Sequence, residues 1–325
     1  MTSEKLNLPA KGIMFILIGT AAISVNDLLV KMLSEGYPLH QTIWVRSFVG
    51  LLFTLLFLKF EGGFAALRTS TPGIHALRGA LIVFANMTFY AAVAVMPLGQ
   101  ATALFFVAPL FITLLSIPIL GEKVGILRLA AVLVGLIGVV IVQQPWSGES
   151  SVPLFVLFLP VIAAFLYAFT QVLTRKLGVS SPASALAFYI QSTFLVVSTL
   201  FFLVAGDGRY AEGIDNDSVT FLLRAWRWPD TGDIPVFIGL GLCSGAIGYC
   251  LSAAYRSANA ATIAPFEYIG LPLAIFWGWM IFGEWPDVAM WIGCTLIIAA
   301  GLFVFLREQI KNRPLPGRRK LWGRR

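Results

Sequence analysis

Ten runs of mostly apolar residues fill nearly the whole chain, each near the ~20 residues a helix needs to cross a hydrocarbon core of ~30 Å. They extend from Ile13 to Leu33, His40 to Leu58, Ile74 to Met96, Leu98 to Leu120, Val124 to Val142, Pro153 to Arg175, Ala183 to Ala205, Ile234 to Tyr255, Asn259 to Phe282 and Val288 to Leu306. Only 12% of the residues are charged and 58% are hydrophobic, against roughly 25% charged in soluble domains. The expected fold is therefore an all-α integral membrane protein of about ten transmembrane helices. The first run follows Lys5 and Lys11, as a signal peptide would, but it is long, contains Asn26 and Asp27, and has no clear small-residue cleavage site. It reads as a retained helix.

The formal net charge of +7 comes from the tail, where residues 307–325 hold eight basic side chains and one acid, Glu308. Such a tail directly after a span is a topology signal that touches anionic lipid headgroups, with no call for nucleic acid. With the amino terminus in the cytoplasm and the spans alternating, inside segments carry 17 Lys or Arg and outside loops carry three, Arg209, Arg224 and Arg227. That bias places both termini in the cytoplasm and the chain in the cytoplasmic (inner) membrane as a multi-pass protein.

An internal repeat divides the spans. PLFITLLSIPILGE, Pro109 to Glu122, resembles PLAIFWGWMIFGE, Pro272 to Glu284, each leading into the last span of its half. An offset of 145 sets Asn26 against Gln171, Lys31 against Lys176 and Arg46 against Gln191. Five spans per half is an odd number, so the second half is inverted relative to the first. The expected organisation is a short cytoplasmic segment (1–12), a first five-helix repeat (13–142), a second (153–306) and the basic tail (307–325). The long outer connection, 206–233, is expected to hold a short amphipathic helix. Val219, Leu222, Leu223 and Trp226 recur at helical spacing, Asp217 or Ser218 could cap it, and Pro229 would stop it on the membrane surface.

Enzyme signatures are missing. His40 and His75 are far apart, Cys243, Cys250 and Cys294 fall inside spans without metal-ligand spacing, and Gly239, Gly241, Gly245 and Gly248 do not match a nucleotide-binding loop. No catalytic residue, metal or cofactor is expected. Gly241 and Gly245, one turn apart, suit close helix contact.

What remains is a set of polar groups at membrane depth, where a charge costs at least ~2.5 kcal/mol unless it meets partners or water. They are Asn26, Asp27, Lys31, Arg46, Asn86, Gln100, Gln171, Gln191, Asn259 and Glu267. Asp27 and Lys31, at i and i+4, could pair on one helix face, either simply neutralising each other or serving binding and gating. Arg46 cannot shed its proton and must pair, snorkel or line a wet cavity, with Asp27 an attractive partner. Glu267 sits between Pro265 and Pro272, which leave backbone carbonyls without partners. It is the leading candidate for proton coupling, with Asp27 second and a plain structural hydrogen bond as the alternative. His75 and Arg78, at the start of the third span, suit anchoring to headgroups.

Together with NDLLVK, WVRSF and HALRG in the first three spans, the repeated segments make the chain resemble the EamA-type family of the drug/metabolite transporter superfamily. The likeness extends from Lys11 to Leu306. It implies a helical basket with the third, fourth, eighth and ninth spans near a central cavity, and alternating access between the halves. Asn86, Gln100, Phe105, Asn259 and Glu267 would then face the cavity, while Glu122 and Glu284 would mark helix junctions. Similar proteins move amino acids, S-adenosylmethionine, riboflavin or sugars, and the ND and HALRG elements lean toward S-adenosylmethionine uptake.

The expected function is a secondary transporter of a small organic metabolite, with Asp27, Arg46, Asn86, Gln100, Phe105, Asn259 and Glu267 at its cavity or gate. A lipid-modifying membrane enzyme and a non-transporting sensor are the alternatives. Expected partners are the metabolite and membrane lipid, with a homodimer left open.

Overall fold

A computed structural model describes residues 9–60, 63–69, 71–121, 125–144, 154–177, 183–214, 216–257 and 264–312. Among them there is no strand. The helices are α1 (Pro9–Leu33), α2 (Leu39–Phe60), α3 (Pro72–Val93), α4 (Leu98–Phe105), α5 (Ala108–Leu120), α6 (Ile126–Gln143), α7 (Leu154–Leu157), α8 (Leu159–Leu177), α9 (Ala183–Ala205), α10 (Asp217–Leu223), α11 (Ile234–Ser257), α12 (Gly270–Phe282) and α13 (Val288–Asn312). Eight stretches are long and apolar enough to span a bilayer, and two shorter ones, Leu129–Gln143 and Phe266–Phe282, complete the expected ten. Large apolar side chains such as Leu52, Phe84 and Leu203 point outward. That is the right arrangement where the surrounding solvent is hydrocarbon.

The fourth and ninth spans are each broken just before their Pro-Leu. Proline has no N–H to give to the carbonyl four residues back, so the helix tightens or breaks there. In the fourth span α4 ends at Phe105 and α5 begins at Ala108; in the ninth, a 3₁₀ segment, Ala264–Ile269, leads into α12. α5 and α12 are both 13 residues long, and each closes on a left-handed glycine, Gly121 at φ 70° and Gly283 at φ 69°. Nothing lies near either glycine's missing side chain. The backbone conformation alone therefore demands glycine at both, which explains the Gly of the repeated Gly-Glu.

Helix packing carries the same correspondence. α1 packs on α11 as α8 packs on α3; α2 meets both α9 and α11, and α9 meets both α2 and α3. α5 lies on α8 as α12 lies on α1, while α6 packs on α13 and α4 on α12. The pattern maps onto itself when each span is exchanged for the one five later. Glycines permit the closest approaches. A side chain at Gly241 would stand 2.6 Å from Val49 and one at Gly245 would stand 2.8 Å from Phe53, so α11 closes on α2 along the expected pair.

The 206–233 connection departs from the expectation of a surface helix. α10 ends at Leu223, before Trp226, and its cap is Asn216, whose side chain accepts from the Val219 N–H at 3.1 Å. It buries Phe221, and Ser218 donates to the Ala91 carbonyl at 2.7 Å. Farther along, Trp226 stacks on His40, the Gln41 amide donates to the Arg227 carbonyl, and Arg224 donates to the carbonyls of Ser34 and Glu35. Tyr37 donates to Asp233 at 2.6 Å and accepts the Asp230 N–H at 2.8 Å. The segment is thus strapped across the α1–α2 hairpin, because its backbone polar groups find partners there that lipid cannot offer.

His75 and Arg78 also differ from expectation. Both are buried, and His75 stacks on Tyr189 at 4.8 Å. The His75 ring is thus packed between α3 and α9.

Candidate functional site

Five polar side chains from the first three spans form one buried network. Tyr90 is its hub. Its hydroxyl donates to Asp27 Oδ1 at 2.7 Å and accepts from Asn26 Nδ2 at 2.7 Å and Arg46 Nη1 at 3.2 Å. One donor and two lone pairs are all a phenol offers, so Tyr90 is fully used. Arg46 Nη2 donates to Asn86 Oδ1 at 2.5 Å, and Nη1 also approaches Asn26 Oδ1 at 3.4 Å. The guanidinium lies between two rings, 5.4 Å from Tyr90 and 5.2 Å from Phe194 of α9. Such faces attract a desolvated cation.

This arrangement revises two expected pairings. Among the described residues no carboxylate is within salt-bridge distance of Arg46, because Asn26 and the Tyr90 hydroxyl link it to Asp27. The Asp27–Lys31 pair is not formed either. Asp27 is already taken by Tyr90 and Asn26, and the longer Lys31 side chain reaches away to Glu284 and to the Met96 carbonyl at 2.9 Å. The Lys31 ammonium also stands 4.8 Å over the Phe282 ring.

Beside the network runs a line of aromatic rings. Phe89 touches Tyr90 at 5.4 Å and Phe105 at 5.3 Å, and Phe105 meets Tyr167 at 5.3 Å. Gln171 follows Tyr167 by one turn of α8, and Glu267 lies in the 3₁₀ segment beside Tyr268. Tyr268 packs against Phe106 at 5.2 Å. A flat ring system could lie against such edges and faces, with hydrogen-bonding groups at the Arg46 end and a carboxyl at the other.

Of the expected site residues, Asp27, Arg46 and Asn86 come together, Phe105 sits on the adjoining aromatic line, and Glu267 sits beyond its far end. Gln100 lies elsewhere, donating to the Val142 carbonyl at 3.2 Å and so tying α4 to α6. Asn259 and Glu122 lie outside the described residues. Tyr90 and Phe89 did not stand out in the sequence. The available signal was spacing: Tyr90 follows Asn86 by four residues and shares its helix face.

Residues 10–143 match the EamA-like transporter family. A riboflavin transporter of Rhizobium johnstonii is 30% identical over 93% of this chain and 93% of its own length. The chain belongs to the EamA-like transporter family. An S-adenosylmethionine uptake transporter of Rickettsia prowazekii is 25% identical, covering 94% of this chain and 96% of its own. One crystal structure shares the fold at a TM-score of 0.61 and 18% identity, over 92% of this chain and 99% of that one. As an EamA-like transporter with this many apolar helices, the chain is a multi-pass membrane protein that moves a small metabolite.

Proposed function

We propose that this EamA-like transporter carries a planar heteroaromatic metabolite of the riboflavin type across the cytoplasmic membrane by alternating access, with both termini in the cytoplasm. The observation that carries the reading is the aromatic line from Tyr90 through Phe89 and Phe105 to Tyr167, bounded by the Arg46 network at one end and Glu267 at the other. A ring system needs flat apolar contact, and hydroxyl or carbonyl substituents need the donors of Arg46, Asn26 and Asn86. The Rhizobium relative's cargo has that chemistry. Residues 13–142 and 153–306 act as the two inverted halves, and the charge bias along the sequence sets the orientation. Glu267 is the proton-coupling group in this reading.

The Asp27 carboxylate favours a second cargo, a cationic adenosyl sulfonium such as that of the Rickettsia relative. Uptake of labelled riboflavin into a riboflavin-requiring bacterium lacking its own transporter tests both. Saturable uptake, competed by unlabelled riboflavin and untouched by S-adenosylmethionine, is expected. Saturable uptake of labelled S-adenosylmethionine in the same cells without uptake of riboflavin selects the second cargo, and no uptake of either by membrane-inserted protein overturns the reading.

A further inference from the structure

We propose that Lys31, Glu284 and the Leu98 N–H form a latch that seals the Arg46 network from the outer side and must part before cargo enters from there. The inference rests on alternating access and not on which cargo is carried.

The latch joins three elements. Lys31 is in the last turn of α1, Leu98 opens α4, and Glu284 follows the left-handed Gly283 that ends α12. α4 has no side-chain cap of its own, since Pro97 occupies that position. Glu284 supplies one from the other half, accepting the Leu98 N–H at 3.0 Å through Oε2 while Oε1 pairs with Lys31. A carboxylate there is favoured by the unpaired N–H groups and dipole of the helix start. The Gly283 conformation turns the chain so that Glu284 folds back, with its own N–H donating to the Gly278 carbonyl at 3.0 Å.

Its surroundings suit a contact that opens and closes. Lys31 and Glu284 have side chains 10% and 22% exposed. Both line a cavity of about 710 Å³, shared with Ser34, Met96 and Asn216. When the halves separate, water from that cavity can take up both charges. The Arg46 network, buried apart from the half-buried Asn86, does not line that cavity. A polar track also leads inward from the latch: Thr20, Ser24, Asp27 and Lys31 fall at i, i+4, i+7 and i+11 on one face of α1. The hydroxyls of Thr20 and Ser24 are buried without a hydrogen-bond partner among the described residues. A solute passing the latch would meet them next.

The test uses full-length protein with Cys243, Cys250 and Cys294 replaced by alanine and Ser24→Cys as reporter, seven residues or ~10 Å below Lys31 along the helix. In right-side-out vesicles a membrane-impermeant maleimide is expected to label the reporter slowly. Lys31→Met and Glu284→Gln are each expected to raise that rate about tenfold by shifting the population toward the outward-open form. Lys31→Arg, which keeps the charge, is expected to leave it low. Unchanged labelling in both charge-removing variants, with normal gel-filtration profiles, overturns the latch. Should those variants misfold, a short bis-methanethiosulfonate cross-link between Lys31→Cys and Glu284→Cys, each cysteine forming a disulfide as methanesulfinate leaves, decides it: transport should stop, and continued transport in cross-linked protein overturns the proposal. The labelling uses no cargo, so failed riboflavin uptake and a failed latch are separate results.

Discussion

Positions that the internal repeat sets side by side carry different chemistry. Asn26 and Arg46 belong to a charged network in the first half; their counterparts Gln171 and Gln191 are neutral. Gln191 donates to Ser244 at 3.1 Å and packs over Gly50, while Gln171 follows Tyr167 by one turn of α8. The first half thus holds the guanidinium, and the second lends it a ring, Phe194, and an acid farther off, Glu267. A symmetric scaffold can in this way hold an unsymmetric solute: the fold is shared, and recognition comes from where the copies diverge.

The largest effect should come from the charge itself. Arg46→Ala removes a buried, multiply bonded cation, a change of about 3 kcal/mol that corresponds to a ~100-fold fall in kcat/KM for uptake. Tyr90→Phe deletes only the hub hydroxyl, leaving Asp27, Asn26 and Arg46 short of one partner each; about 1.4 kcal/mol, or ~10-fold in kcat/KM, is expected. Glu267→Gln should separate driving force from passage. Accumulation against a gradient, several-fold in the parent by order of magnitude, should fall to simple equilibration. Exchange of labelled for unlabelled cargo should continue within about twofold, and undiminished accumulation would remove Glu267 from coupling. Gln191→Leu is the smallest, within about twofold in uptake, because it removes one neutral hydrogen bond, that to Ser244, and no charge. An effect of Gln191→Leu as large as that of Arg46→Ala would erase the contrast between the halves.

Much of the framework was legible in the sequence because it is local. Apolar run length gives the spans, Gly241 and Gly245 give a close helix contact, and the repeated Pro-Leu to Gly-Glu segment gives two 13-residue helices with matching left-handed ends. Three of the expected site residues, Asp27, Arg46 and Asn86, do meet in one network, but their pairing was not legible. Helix spacing offers Asp27 and Lys31 as a possible pair because it reports only neighbours on the same helix. In the structure each finds a better partner far along the chain, Tyr90 for one and Glu284 for the other. The strap from Gly206 to Asp233 misled for a related reason. Amphipathic spacing says that a face is buried, and the hydrogen bonds to Ser34, Gln41 and Ala91 show that protein, not lipid, covers it.

The exchange pattern in the packing has a consequence for ancestry. α6 on α13, α2 on α9 and α4 on α12 each join a span to its own counterpart. Between two separate copies of one chain, contacts of that kind define an isologous, self-complementary interface. A single five-helix polypeptide inserted in both orientations would therefore meet its twin through these seams together with the reciprocal contacts of α1 with α11 and α3 with α8. Within one chain the two copies need not match, and here Arg46 stands where the counterpart is Gln191.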